Sequence, residues 1–181
     1  MIFVLIAIIV GAVGLDQLTK WLAVVYLQGE PSVPVWKDVF HFTFWTNEGA
    51  AWGMLADHRW VFMVFSTVAI IGLSVYLFGF CKQSKWIKIP IAMIIGGGIG
   101  NMIDRVLLGY VIDFLDFTLI DFPIFNVADS FVTIGAFWLV GILLLEMIRD
   151  IRQEKLQKAA AAAEAAKSTE DNEHDRDDRL E

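Results

Sequence analysis

Four long apolar stretches separated by shorter polar segments dominate residues 1–149 of this chain. A helix needs about 20 mostly apolar residues to cross roughly 30 Å of hydrocarbon. The pattern therefore predicts spanning helices at about 4–27, 60–81, 88–108 and 128–149. The second of these, Trp60 to Cys81, has no charged residue, and the fourth contains the uncharged run Phe131 to Leu145. Between the first two, Phe40, Phe42 and Phe44 alternate with His41 and Thr43, the period of a short strand with one apolar face. Asn47-Glu48-Gly49 then reads as a turn. Trp36, Trp45, Trp52 and Trp60 surround this segment and suit the headgroup zone, where amphipathic rings settle. The expected fold class is an all-α membrane protein: four transmembrane helices with a small extracytoplasmic β platform.

The first run, Met1 to Leu15, has the length of a secretion signal, but no basic region precedes it and no small-residue cleavage site follows. It continues through Asp16–Lys20 into further apolar sequence, so a retained helix is expected. Residues 1–150 form the expected transmembrane domain and 151–181 an Ala-rich, acidic tail. Helix should persist through Ala159–Ala166, because alanine has the highest helix propensity. Ser168 to Glu181 is polar and highly charged, which predicts disorder.

Composition sharpens this picture. With 57% hydrophobic residues in 181, a soluble domain would have too little interior for its apolar surface. The net charge of −7 is weighted toward the tail, and no basic stripe points to nucleic acid. Lysine and arginine accumulate in cytoplasmic loops. Lys82, Lys85 and Lys88 lie between spans two and three, and Arg149, Arg152, Lys155 and Lys158 follow span four, whereas 109–127 has neither residue type. Both termini are thus expected in the cytoplasm, with 28–59 and 109–127 outside. Cys81 is the only cysteine, so no internal disulfide or Cys-based metal cluster forms. His41, His58 and His174 show no metal-ligand spacing, and no Ser-centred nucleophile elbow occurs. No metal or cofactor is expected.

Charge in hydrocarbon costs on the order of 3 kcal/mol per residue, so each such residue needs a reason. Span one has Asp16, Thr19 and Lys20 on one helical face, and span three has Asn101, Asp104 and Arg105. Asp129 starts span four, Asp113 follows span three, and Asn47 lies in the platform. The predicted topology brings all of these to one layer at the outer end. Structural readings compete at each position. Asp16 with Lys20, and Asp104 with Arg105, could be ion pairs that lock helices together. Asn126 and Asp129 have the form of a helix cap and a first-turn carboxylate. Spacing does not choose among Asp113, Asp116 and Asp121 as chemistry-bearing carboxylates. Gly96-Gly97-Gly98 and Gly100 could cradle a phosphate, but in a spanning helix close packing is the stronger reading.

Taken in order, four motifs resemble lipoprotein signal peptidase, the signal peptidase II family of bacterial membranes. They are Asp16-Gln-Leu-Thr-Lys20, Asn47-Glu-Gly-Ala-Ala-Trp-Gly53, Gly100-Asn-Met-Ile-Asp-Arg105 leading to Val111-Ile-Asp-Phe114, and Phe125-Asn-Val-Ala-Asp-Ser130. The resemblance covers roughly residues 10–148. It implies an aspartic dyad of Asp113 and Asp129, supported by Asp16, Asn47, Gly49, Asn101, Asp104, Arg105 and Asn126. It also implies cleavage of prolipoproteins just before a cysteine that carries a diacylglyceryl group, by a monomer in the cytoplasmic (inner) membrane in contact with membrane lipids. Trp52, where phenylalanine is commoner, and the Ala-rich tail depart from the pattern. Two other classes compete: a small transporter or proton channel, which would spread its polar residues through the membrane depth, and a non-catalytic assembly factor using ion pairs for helix packing.

Overall fold

The computed structural model describes residues 1–49 and 59–177. Ala50, Ala51, Trp52 and Gly53 of the Asn47–Gly53 motif, and His58, lie outside the described residues. Among the described residues, four helices are long and apolar enough to cross a membrane. They are α1 (Ile2–Leu27), α2 (Arg59–Val75, continued by a wider helical turn over Tyr76–Phe80), α3 (Lys85–Leu107) and α4 (Val127–Asp177). Between them lie the strands β1 (Val33–Trp36), β2 (Phe40–Asn47) and β3 (Val111–Asp116), which form one antiparallel sheet in the order β1-β2-β3. The fold class is thus the one expected, a four-helix membrane protein with a small three-stranded sheet.

Helix α3 is central because its glycines let three neighbours approach. A Cβ at Gly96 would lie 2.8 Å from Ala12 Cβ of α1, and one at Gly100 would lie 2.6 Å from Asp16 Oδ2. At Gly97 it would strike the Ala128 carbonyl and approach Val132 of α4, and at Gly98 it would meet Ile70 of α2 at 3.1 Å. The glycine run therefore serves helix packing. On α1 the buried positions Leu5, Ala12, Asp16, Lys20 and Ala23 follow steps of three, four or seven, one stripe of the helix.

The sheet rests its apolar face on the end of α1. Ala23, Ile112 and Phe114 form a buried cluster, against which Leu27, Phe42 and Phe44 pack. Helix α3 ends at a glycine that permits a left-handed turn: Gly109 has φ +87°, and the amides of Leu108 and Gly109 both donate to the Asp104 carbonyl. That turn aims β3 back along β2. The segment 109–127 is consequently less of a loop than its composition indicates, and Asp113 and Asp116 sit on a strand.

Two features concern the C-terminal part of the chain. Helix α4 continues through Asp177, past the alanines. Residues 159–166 are strong helix formers, and a propagating helix adds one bond per residue once nucleated. The chain also divides into compact units Met1–Leu139 and Val140–Glu181, a boundary inside α4. The second unit is a single helical run over its described residues, with an exposed Glu154–Lys158 pair at 2.6 Å.

Candidate functional site

The site begins with the way α4 starts. Asn126 caps the helix: its Oδ1 accepts the Asp129 amide at 2.9 Å, while Asp129 Oδ2 accepts the Asn126 amide at 3.2 Å. This reciprocal pair is a capping box built from Asn and Asp. Capping uses only part of each side chain. Asp129 Oδ1 accepts from Asn101 Nδ2 at 2.7 Å, and Asn126 Nδ2 donates to Asp113 Oδ1 at 2.7 Å. Asn126 thus holds both Asp113 and Asp129, one through its side-chain amide and the other through its cap.

Asp113 reaches this point by the alternation of β3, and Asn47 comes to it beyond an irregularity in β2. Phe42 pairs with Leu115 and Trp45 with Asp113, so one extra residue enters β2 between the two pairings. Such a bulge reverses the side-chain alternation beyond it. Ile112 and Phe114 face the apolar cluster, while Asp113 turns toward Asn126 and Asn47. Asn47 Nδ2 donates to Asp113 Oδ2 at 3.0 Å, and Asn47 Oδ1 is itself held by the Gly49 amide at 3.0 Å. Asp113 is 1% exposed. Burial, and then the neighbouring Asp129 charge, push its carboxyl up to about 7, against the opposing hydrogen bonds from Asn47 and Asn126.

Behind this pair lies a fully buried ionic group. Lys20 Nζ contacts Asp16 Oδ2 at 2.8 Å, Asp104 Oδ2 at 3.0 Å and Asn101 Oδ1 at 2.8 Å. Three acceptors match the three protons of an ammonium. Asp16 Oδ1 accepts the Ala128 amide at 2.9 Å, and Asp104 Oδ2 accepts the Ile112 amide at 3.1 Å. Gln17 adds a bond to Asp104 Oδ1 at 2.9 Å. The expected Asp16–Lys20 ion pair is present. The expected pairing of Asp104 with Arg105 is not: Asp104 pairs with Lys20, because its side chain points toward α1. Arg105 instead places Nη1 3.5 Å from the Asn101 carbonyl and lines an open cavity.

That cavity has a volume of about 640 Å³. Arg105, Asp129, Asn47 and Gly49 form its polar wall, and Phe117, Ile120, Phe122 and Ile134 contribute to a larger apolar one. No group of three His, Cys, Asp or Glu side chains able to hold a metal ion occurs among the described residues.

Every site residue expected from the sequence joins this assembly. Asp113, Asp129, Asn126, Asn101 and Asn47 are linked directly, Gly49 holds Asn47, and Arg105 shares the cavity. Asp16 and Asp104 form the buried layer beneath. Of the carboxylates left open, Asp116 bonds Thr43 at 2.7 Å and Asp121 is exposed in a turn. Thr19 does not join: its hydroxyl bonds back to Leu15 and Asp16 carbonyls of its own helix. Sequence reasoning left Lys20 and Gln17 out of the site. A lysine four residues after an intramembrane aspartate was the available signal.

Known proteins resemble this chain over most of its length. A family model described as signal peptidase (SPase) II matches residues 8–145. The chain is 46% identical over 138 residues to a lipoprotein signal peptidase of Brevibacillus brevis, covering 76% of this chain and 90% of that one. It is 36% identical over 152 residues to a lipoprotein signal peptidase of Bacillus subtilis, covering 83% and 95%. A solved structure described as a bacterial membrane enzyme superposes with a TM-score of 0.74 at 33% identity, covering 81% of this chain and 91% of that one.

Proposed function

The chain belongs to the signal peptidase II family, and we propose that it is an aspartic endopeptidase in which Asp113 and Asp129 together activate water against a peptide bond. The substrate class is a prolipoprotein whose cysteine carries a diacylglyceryl group, cut immediately before that cysteine. The observation that carries the mechanism is the double hold of Asn126 on the two aspartates, beside a cavity that Asp129 lines.

Two carboxylates this closely coupled do not both ionise readily, so one proton is shared between them. With its carboxyl at about 7, Asp113 holds that proton near neutral pH. Asp129, in the first turn of α4 and bonded by the Asn126 amide and Asn101, is the carboxylate that takes a proton from water. The resulting hydroxide adds to the scissile carbonyl carbon while Asp113 donates to the carbonyl oxygen. Collapse of the tetrahedral intermediate returns the Asp113 proton and delivers the one on Asp129 to the leaving amine. Oxygen and protons balance as hydrolysis, with no cofactor.

Membrane placement follows from the substrate. Each CH₂ of an acyl chain kept in lipid is worth about 0.8 kcal/mol, so the peptide bond is cut where the chains can stay in hydrocarbon. The sheet, the start of α4 and the end of α3 share one end of the helices, and the lysines between α2 and α3 mark the other. On that ground the site faces the extracytoplasmic side of the inner membrane, with both termini in the cytoplasm; the monomer proposed as the working unit rests on the family resemblance alone. A proton channel or transporter fits less well. The buried charges collect at one end and are closed upon each other.

The test is cleavage of a lipid-modified prolipoprotein by purified protein in detergent. D113N and D129N should each lower the rate by at least 1,000-fold while remaining folded. Normal cleavage by either variant refutes the dyad. Reporter fusions in 82–88 and 109–127 should report cytoplasm and exterior respectively, and the reverse would place the site on the wrong side.

A further inference from the structure

The buried ionic group beneath the dyad touches neither aspartate, yet it holds the residue before each of them. Asp16 fixes the amide of Ala128, directly ahead of Asp129, and Asp104 fixes the amide of Ile112, directly ahead of Asp113. Lys20 joins these two carboxylates at 2.8 and 3.0 Å. Its third contact, 2.8 Å to Asn101 Oδ1, determines which way that amide points. With the oxygen held by a cation and by Asn126 Nδ2 at 3.0 Å, the Asn101 nitrogen is left to donate to Asp129. Four elements therefore converge on one ammonium: α1 through Lys20 itself, α3 through Asp104 and Asn101, β3 through Ile112, and α4 through Ala128.

We infer that Lys20 is a positioning residue for the reaction: by tying Asp16 to Asp104 and orienting Asn101, it sets the separation and facing of Asp113 and Asp129. This rests on the dyad reading above. A lysine that only locked α1 to α3 would need its two carboxylates and no more. Here each carboxylate spends a hydrogen bond on the backbone next to a dyad residue, and the remaining ammonium contact goes to the side chain that binds Asp129. The charged groups around Lys20 are Asp16 on its own helix and Asp104 on α3, with Asp113 on β3 and Asp129 on α4 beyond them. The positive charge also opposes the proton on Asp113, since Lys20 pulls that carboxyl downward.

Lys20→Gln removes the charge but keeps amide donors. The double variant Lys20→Met with Asp16→Asn leaves the buried group with the same net charge, and the side-chain oxygen kept at position 16 can still accept the Ala128 amide. Both are compared with D113N and D129N for kcat and KM on a lipid-modified prolipoprotein, normalised to monodisperse folded protein. A displacement near 1 Å at a reacting group costs about 100-fold in rate. The expected result is kcat about 100-fold lower in both variants with KM within threefold of wild type. In Lys20→Gln the alkaline limb of the kcat profile should also shift to higher pH. Lys20→Arg, which restores the charge, should recover part of the rate and return the limb. Wild-type kcat per folded molecule in the double variant overturns the inference, even if the yield of folded protein falls, because a purely structural lock gives that outcome. Normal cleavage by D113N or D129N would instead overturn the dyad reading itself.

Discussion

Replacing Asp113 by asparagine should stabilise the folded protein at pH 8 and destabilise it at pH 4. The carboxyl sits at about 7 in the folded chain and returns to its ordinary 3.8 on unfolding. Between those values the folded form keeps a proton that the unfolded form has released, so wild-type stability falls as pH rises through the window and levels off above it. At about 1.4 kcal/mol for each pH unit, the buried carboxyl costs about 4 kcal/mol at pH 8. Its 1% exposure means that little solvent screening reduces this figure.

Asparagine does not ionise and so escapes that cost, but it presents one oxygen where Asp113 offered two. Asn126 and Asn47 both donate to Asp113, and in the variant one of those NH₂ groups faces another. Leaving such a buried donor unpaired costs about 1–3 kcal/mol at any pH. The difference between variant and wild type should therefore favour the variant by about 1–3 kcal/mol at pH 8 and reverse by a similar amount at pH 4. Thermal unfolding in detergent, followed by intrinsic tryptophan fluorescence at half-unit pH steps, reads this difference directly. A difference independent of pH from 4 to 8 would refute the argument, because Asp113 would then have an ordinary carboxyl. A more stable, inactive variant is also the expected signature of a residue kept for chemistry at the expense of the fold.

Turnover should fall above about pH 7 as Asp113 loses its proton, with the sign set by its proposed role as acid. Single-turnover cleavage from pH 5 to 9 tests this, and a rate flat to pH 9 counts against it. Asn126→Ala removes the α4 cap, worth about 1 kcal/mol, and releases both aspartates, so cleavage should drop at least 100-fold while melting shifts only modestly. A large loss of melting temperature with unchanged turnover would leave Asn126 as a cap alone. Gly97→Ala drives a methyl into the Ala128 carbonyl and toward Val132 Cγ2 at 2.9 Å. It should cost about 1–3 kcal/mol by overpacking, whereas Gly11→Ala, with nothing within 4 Å of its Cβ, should not destabilise. Equal melting of the two alanine variants would show that α3 and α4 are not in close contact there.

The helices and the sheet were legible because their signals are local. Apolar run length specifies a span, and the Phe40, Phe42, Phe44 alternation specifies a strand face, whatever the rest of the chain does. Asp113 was not separable from Asp116 on that basis. An odd spacing on a strand puts the two on opposite faces, but which face looks at α4 depends on how β3 packs its Ile112 and Phe114 against Ala23 of α1, a property of tertiary packing. The misassigned partner of Asp104 has a similar origin. Arg105 is its neighbour in sequence, whereas Lys20 is its neighbour only once Gly96 and Gly100 have brought α1 against α3. Residue spacing describes one helix at a time, and this site is assembled from several.

Asp129 shows how a structural and a chemical reading can both hold. Its capping bond with Asn126 is the ordinary way a helix begins, and taken alone it needs no further explanation. Yet the cap occupies only Oδ2, and Oδ1 is held by Asn101, which is held in turn by Lys20. The carboxylate is thus ordered by the same bonds that start α4, before any substrate arrives. The entropy cost of orienting it is met when the protein folds and does not recur at each turnover. A capping residue is well suited to this, because its geometry follows from the first turn of the helix and not from a loop. The position of Asp129 at a helix start, which by itself argued for a structural role, is therefore also what suits it to the base role proposed for it.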